Sequence, residues 1–250
     1  MRPAARRALW LVGGSLALAG VASIVVATWW WTAPAVDLAQ WRDGPPPPTW
    51  AAIERQRSMW RDQGLRRQVH HEFVPIEELP VDVSLAVLVN EDIGFFGHGP
   101  LDWRAIWEVV GEWMGGGRLR GASTVSQQLA KCLFLSPEKT LSRKLSEARL
   151  AWWLERALGK RRVLELYLNV VEFGPGLFGA QAAASRYFSC DGRVLSAEQA
   201  AGLAAAVPSP GRDNPSTGTQ RWLTRRANIL RRMERATWLR QRLERTLPHR

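Results

Sequence analysis

The chain has 250 residues, 46% of them hydrophobic, and a formal net charge of +11. That length and apolar content suffice for one sizeable core with a small appendage, and the charge asks for an anionic partner: a polyanion, an anionic membrane surface or a phosphorylated substrate. The two cysteines, Cys132 and Cys190, sit in dissimilar contexts, which excludes a disulfide framework or a cysteine-rich metal site and leaves one disulfide as the alternative to two buried thiols, the simpler account.

Residues 1–7 form a basic tail carrying Arg2, Arg6 and Arg7. Residues 8–31 are predicted to be a transmembrane helix. Ala8 to Trp30 contains no charge and is long enough to cross a hydrocarbon core of roughly 30 Å at about 1.5 Å per residue. Trp29, Trp30 and Trp31 stand at its far end, where indoles favour the headgroup region. The arginines before the run put the N-terminus in the cytoplasm and the remainder outside. A cleaved signal peptide is the alternative. The run is long for one, and no Ala-x-Ala site followed by polar sequence closes it. This N-terminus also argues against nucleic acid as the anionic partner.

Residues 32–49 read as a linker, with Pro45 to Pro48 extended and semi-rigid. Residues 50–250 are expected to form the folded domain, ending in a basic helix. Trp50 to Gln63 reads as a short amphipathic helix that could rest on a membrane surface or pack on the domain. The region Val81–Val89 is the longest stretch that could be a strand. Otherwise the periodicity is helical and the fold class is mostly α. Asp102 is a predicted N-cap for a helix whose Trp103, Ile106, Trp107, Val110 and Trp113 share one face, expected to be core. Ser136-Pro137 is expected to open a long helix running to Gly159, and Lys160 to Asn169 another. Ser196 to Gln199 is a capping box before a helix buried all round, and Gln220 to Arg245 is a last, Arg-rich helix.

The stretch Val89-Asn90-Glu91-Asp92-Ile93-Gly94-Phe95-Phe96-Gly97-His98 places two carboxylates at the end of an apolar run. A Glu at such an edge is partly desolvated. That raises its pKa and makes it a useful proton acceptor near neutral pH. On these residues alone a cap for the next helix is the simpler reading. Two other stretches tip the balance. In Arg120 to Lys131, Ser123 or Thr124 can cap a helix whose N-terminus favours an anion, beside Arg120 and Lys131. There Gln127 and Gln128 stand side by side, and one of them must turn toward the domain or a ligand. In the following helix Arg143, Lys144 and Glu147 line one side, either as a surface pair worth about 0.3–0.5 kcal/mol or as a carboxylate held among cations. A base-like Glu, a cationic cluster and an outward tether together suit transfer from a phosphate leaving group on a lipid-linked substrate.

With those residues in view, the sequence resembles the peptidoglycan glycosyltransferases, and in size the monofunctional biosynthetic peptidoglycan transglycosylases. The resemblance covers about residues 50–235. It rests on Glu91-Asp92 with Phe95 and His98, then on Gly121 to Lys131, then on Arg143-Lys144 with Glu147. Glu165 to Asn169 with Phe173-Gly174 and Gly179, and the Ala-rich helix ending at Pro208, complete the ordered set. Two positions depart from the family pattern. Pro100 stands where a glycine is usual, and Cys132 replaces an Asn, and both bear on fine geometry and rate.

The resemblance implies a lysozyme-like helical glycosyltransferase domain behind a single transmembrane helix, in a bacterial inner membrane with the domain periplasmic. It implies polymerisation of lipid II into glycan strands, with inversion and release of undecaprenyl pyrophosphate. Glu91 would be the general base and Glu147 the donor-side carboxylate. Arg120, Lys131, Arg143 and Lys144 would offset charge on the pyrophosphate, and Ser123, Gln127 and Asn169 would hold sugar or phosphate oxygens. A divalent cation, Mg or Mn, could sit between Glu147 and the pyrophosphate. Partners would be lipid II, the growing glycan strand, membrane lipids and other cell-wall synthesis proteins. Ser136-Pro137-Glu138-Lys139 fits a penicillin-binding Ser-x-x-Lys pattern by chance, since no Ser-x-Asn or Lys-Thr-Gly element accompanies it. A glycan-cleaving lytic transglycosylase and a non-catalytic cell-wall scaffold are the rival readings.

Overall fold

The computed structural model describes residues 20, 21, 23, 24, 27–32, 36–117, 121–138 and 140–247. The chain divides into two compact units, Met1–Asp37 and Leu38–Arg250. In the first unit residues 27–31 are helical. Most of the expected transmembrane run lies outside the described residues. Among those described, no helix is long and apolar enough to cross a membrane.

The second unit is mostly helical. Its helices are α1 (Ala51–Asp62), α2 (Val81–Glu91), α3 (Trp103–Met114), α4 (Val125–Phe134), α5 (Leu141–Val170), α6 (Ala180–Phe188), α7 (Ala197–Ala206), α8 (Gln220–Arg235) and α9 (Thr237–Thr246). A small sheet of β1 (His70–His71), β2 (Glu172–Gly174) and β3 (Leu177–Phe178) has the order β1-β3-β2. β3 runs parallel to β1 and antiparallel to β2, with a register shift between Glu172 and Gly174.

The unit starts earlier than residue 50. Trp41, inside the expected linker, is only 3% exposed, packs edge-on against Phe134 with ring centroids 5.7 Å apart, and accepts at its carbonyl from Arg162 Nε at 2.9 Å. A large indole with an apolar partner leaves water whatever the proline content beside it. α1 packs on the domain against α4, with Ile53 and Trp60 buried.

The Val81–Val89 region is a helix, not a strand. Val83 to Val89 are all buried, with α7, α8 and α9 around them. A segment apolar on every side carries no period that separates a buried strand from a buried helix, and its valines were outweighed by the helices that enclose it. Pro80 precedes its first turn, and Asp82, beside the helix N-terminus, pairs with Arg240 of α9 at 2.5 Å.

The tryptophan face of α3 is also not core. Asp102 caps the helix by accepting from Ala105 N–H at 3.0 Å, as expected, but α3 buries no residue, and Trp107 is 69% exposed. The amphipathic period is real; the apolar face has no cover within the described residues.

The long helix begins later than Ser136-Pro137. Thr140 caps it at Arg143 N–H and Leu141 is its first residue. It bends at Gly159, whose φ of 75° is open to glycine at little cost, so the two expected helices meet there end to end. The expected last helix is likewise two, α8 and α9, broken at Ala236. Cys132 and Cys190 are free thiols and half-buried rather than buried.

Candidate active site

Glu91 is the last residue of α2, where the buried helix reaches the surface of the domain. Its neighbours fix both oxygens. Asn90 Nδ2 donates to Oε1 at 2.6 Å and Gln128 Nε2 donates to Oε2 at 2.7 Å. Asn90 is itself held by the Ala204 carbonyl of α7 at 3.1 Å. Burial raises the Glu91 pKa. The Gln128 bond, the Lys131 charge, the Asn90 bond and the Arg225 charge oppose that without cancelling it. A carboxylate so placed is more basic than a free one and better suited to take a proton.

Asp92, next in sequence, does structural work. Its Oδ2 accepts from Val125 N–H at the start of α4 at 3.0 Å, and its Oδ1 faces His98 Nε2 at 2.7 Å. It therefore contributes to capping α4, one helix beyond the one expected from sequence. His98 Nδ1 lies 2.6 Å from the Gly99 carbonyl. Both ring nitrogens face acceptors, an arrangement that favours the imidazolium and goes with a pKa raised by the Asp92 contact. The turn from Asp92 to Asp102 is thus tied to α4 by one carboxylate. Thr124 Oγ1 adds a bond to the Pro100 carbonyl at 2.7 Å.

A cavity of about 200 Å³ opens beside Glu91, with Asp102, Gly121, Ser123 and Arg232 among its lining residues. Ser123 links it to the second carboxylate. Lys144 Nζ donates to Ser123 Oγ at 2.7 Å and also pairs with Glu147 Oε1. Arg143 pairs with Glu147 Oε2. Glu147 is 2% exposed, so this is no surface pair. Arg143, Lys144 and Glu147 lie within two turns of α5, and Ser123, which Lys144 reaches, also lines the cavity beside Glu91. A groove of about 850 Å³ lies elsewhere, between α1 and the segment after α4. It holds neither carboxylate of this pair, so the smaller cavity is the better site on chemical grounds.

The transglycosylase family model matches residues 58–234. The chain belongs to the transglycosylase family. A biosynthetic peptidoglycan transglycosylase of Methylobacillus flagellatus is 44% identical over 161 residues, covering 64% of this chain and 70% of its own length. One of Shewanella amazonensis is 42% identical over 197 residues, 76% of each chain. One of Pseudomonas aeruginosa is 39% identical over 215 residues, 86% of this chain and 88% of its own. The resemblance read from the ordered motifs therefore holds over most of the chain.

Ser123, Arg143, Lys144 and Glu147 form one cluster, and Ser123 also borders the cavity of Glu91. Lys131 is exposed on α4 and close enough for its charge to act on Glu91. Arg120 lies outside the described residues. Two residues expected to hold substrate are instead committed to the fold. Gln127 is buried in a capping box, its Oε1 accepting from Thr124 N–H at 3.1 Å. Asn169, also buried, accepts from Val74 N–H and donates to the Val74 and Glu165 carbonyls, each at 2.9 Å. Of the adjacent glutamines it is Gln128 that turns to the site.

Nothing in the sequence assigned a site role to Asn90, Tyr167 or the two arginines of α8, Arg225 and Arg232, whereas Gln128 was marked as one of an adjacent pair. Burial raises the Tyr167 hydroxyl well above its ordinary pKa, so it stays protonated and donates to Gln128 Oε1 at 2.7 Å. That bond turns the Gln128 amide nitrogen toward Glu91. The Gln-Gln pair was the available signal for Gln128; nothing local marked the arginines, which reach the site only by packing.

The anticipated divalent cation does not fit at Glu147. Both carboxylate oxygens already face cationic donors, and a metal ligand needs free lone pairs. Among the described residues no group of three metal-binding side chains gathers anywhere. Pro100 needs no special backbone, since Ser189 is the only non-glycine residue with positive φ among those described.

Proposed function

We propose that the chain is a membrane-anchored peptidoglycan glycosyltransferase that polymerises lipid II by inverting transfer. Its relatives are named biosynthetic peptidoglycan transglycosylases, which supports the substrate class. The observation that carries the mechanism is Glu91, a carboxylate with raised pKa held at both oxygens beside a cavity that reaches the Ser123–Lys144–Glu147 cluster.

Glu91 takes the proton from the GlcNAc 4-hydroxyl of the acceptor. The freed oxygen forms a bond to the anomeric carbon of the donor. The bond from that carbon to the pyrophosphate breaks on the opposite face, and its electron pair leaves with undecaprenyl pyrophosphate. Lys144, Arg143 and Lys131, with Arg120, offset the charge that grows on the leaving group. Glu147 holds Arg143 and Lys144 in place and acts through them. No covalent glycosyl-enzyme is required.

A cationic cluster favours this reading over glycan cleavage, because an uncharged sugar leaving group has no use for it. Residues 8–31 are proposed as the anchor on the strength of the sequence. The exposed tryptophans of α3 support residence at a membrane surface, where indoles are stable. No penicillin binding is expected.

The test is incubation of purified full-length chain with lipid II and, separately, with intact sacculi. Polymer from lipid II, lost in Glu91→Gln, is the expected result. Soluble muropeptides from sacculi without polymer from lipid II would assign the chain to the cleaving enzymes. A Glu91→Gln protein that polymerised normally would remove Glu91 as the base.

A further inference from the structure

The cavity beside Glu91 contains a cation that the proposed machinery does not use. Arg232 of α8 lines it together with Glu91, Asp92 and Asp102. It stands at i+7 from Arg225, so the two occupy one side of α8 two turns apart. Their situations differ. Arg225 donates to the Ala205 carbonyl at 2.6 Å and faces Asp213 at 3.7 Å. The Arg232 guanidinium has no hydrogen bond or ion pair among the described residues, although burial lowers its pKa. It remains charged at any working pH.

The acids lining the cavity do not account for it. Asp92 is occupied by Val125 N–H and His98, and Asp102 by the cap of α3. A partly desolvated guanidinium without a partner, on the wall of a catalytic cavity, is built for an anion that arrives with the ligand.

Resting on the lipid II reading above, we propose that Arg232 is a substrate-binding residue that pairs with an oxyanion of the acceptor and sets its affinity. The oxyanion is either a carboxylate of the acceptor's stem peptide or its pyrophosphate. A guanidinium fork pairs with both in the same bidentate way. This assigns the donor pyrophosphate to the α5 cations and an acceptor anion to Arg232 of α8.

The test is steady-state polymerisation by the full-length chain and its Arg232→Ala and Arg232→Lys variants. Two substrates are used: lipid II with free stem-peptide carboxylates, and lipid II with those carboxylates amidated. The side chain is exposed and unpaired, so truncation leaves the fold intact. Arg232→Ala is expected to raise KM about tenfold with kcat within about twofold of wild type, as loss of a charged hydrogen bond made equally in ground and transition states requires. Arg232→Lys is expected to recover part of that loss. The acid limb of the pH–rate profile stays where it is in wild type. If the KM gap closes on amidated substrate, the anion is a stem-peptide carboxylate; if it persists, the pyrophosphate. Unchanged KM on both substrates would overturn the inference, as would a shifted acid limb at constant KM, which would make Arg232 part of the field around Glu91. Failure of the wild-type chain to polymerise at all would be a different result, removing the proposed function and this assignment with it.

Discussion

Gln128 donates its amide to Glu91 Oε2 at 2.7 Å while its own carbonyl accepts from Tyr167 at 2.7 Å. The tyrosine fixes the amide, and the amide fixes the carboxylate. Burial raises the Glu91 pKa, and the Gln128 bond is the first of the opposing influences that favour the charged form. Basicity at this site is therefore a balance between two neighbouring effects.

Removing the bond tips that balance. Gln128→Met keeps the volume and deletes both hydrogen bonds, so the Glu91 pKa rises further. The acid limb of the kcat/KM profile for lipid II polymerisation should move to higher pH, with activity preserved on the alkaline side. An unmoved limb would mean that the limb reports another group.

Removing the base is the stronger change. Glu91→Gln should lower kcat by roughly 10²–10⁴-fold, the usual contribution of general-base catalysis. Circular dichroism and the melting temperature should change little, because Gln fills the same space.

Glu147 combines structure with charge. Its carboxylate is almost fully buried between Arg143 and Lys144. Glu147→Ala leaves both cations without their anion. Breaking a buried pair from one side costs roughly 3–5 kcal/mol, and the cost here should fall at or below that range because Lys144 is 41% exposed. Denaturant titration measures it. A large loss of polymerisation should accompany it even at temperatures where the variant is folded.

His98 makes stability depend on pH. Burial alone would lower its pKa; the Asp92 bond, the Gly99 carbonyl and the Asp92 charge outweigh that and raise it, against a smaller effect of Lys160. Asp102, 4.0 Å from Nε2, also faces the ring. A histidine whose folded pKa is raised contributes stability that is fully present below its unfolded value and fades as pH climbs through the folded one. Wild type should therefore exceed His98→Gln in melting temperature most at about pH 5.5 and least at about pH 9. A constant difference would show that the ring is neutral in the folded protein.

Gly179 sits at the turn before α6 with φ of 84°, and a Cβ there would lie 2.6 Å from the Asn169 carbonyl oxygen. Gly179→Ala should destabilise the domain by roughly 1–3 kcal/mol for backbone strain alone, with the contact adding to it. The shift in denaturation midpoint at unchanged slope measures the loss.

Much of this protein could be read along the chain. Caps were legible at Asp102, Thr124 and Ser196, because a cap is chosen by residues within one turn of it. Arg143, Lys144 and Glu147 were legible for the same reason: helical spacing alone puts them on one side. Glu91 was legible as a candidate from the apolar run that precedes it.

What lay beyond the sequence was decided by contacts between distant segments. The Val81–Val89 region reads as well for a strand as for a helix, and only the surrounding α7, α8 and α9 settle it. The tryptophans of α3 have the spacing of a core face, yet whether a face is covered depends on what packs there. Gln127 and Gln128 are chemically identical neighbours. One faces its own helix cap and the other faces Glu91 because successive helical positions point about 100° apart and α2 lies on one side only. Arg232 shows the limit most clearly, since a run of arginines on a last helix looks solvated throughout. Folding brings α8 against α2 and turns one of those arginines into the cavity of a carboxylate far from it in sequence. Local chemistry fixed the parts with short-range physics, and burial, which is a property of the whole, fixed which of them meet.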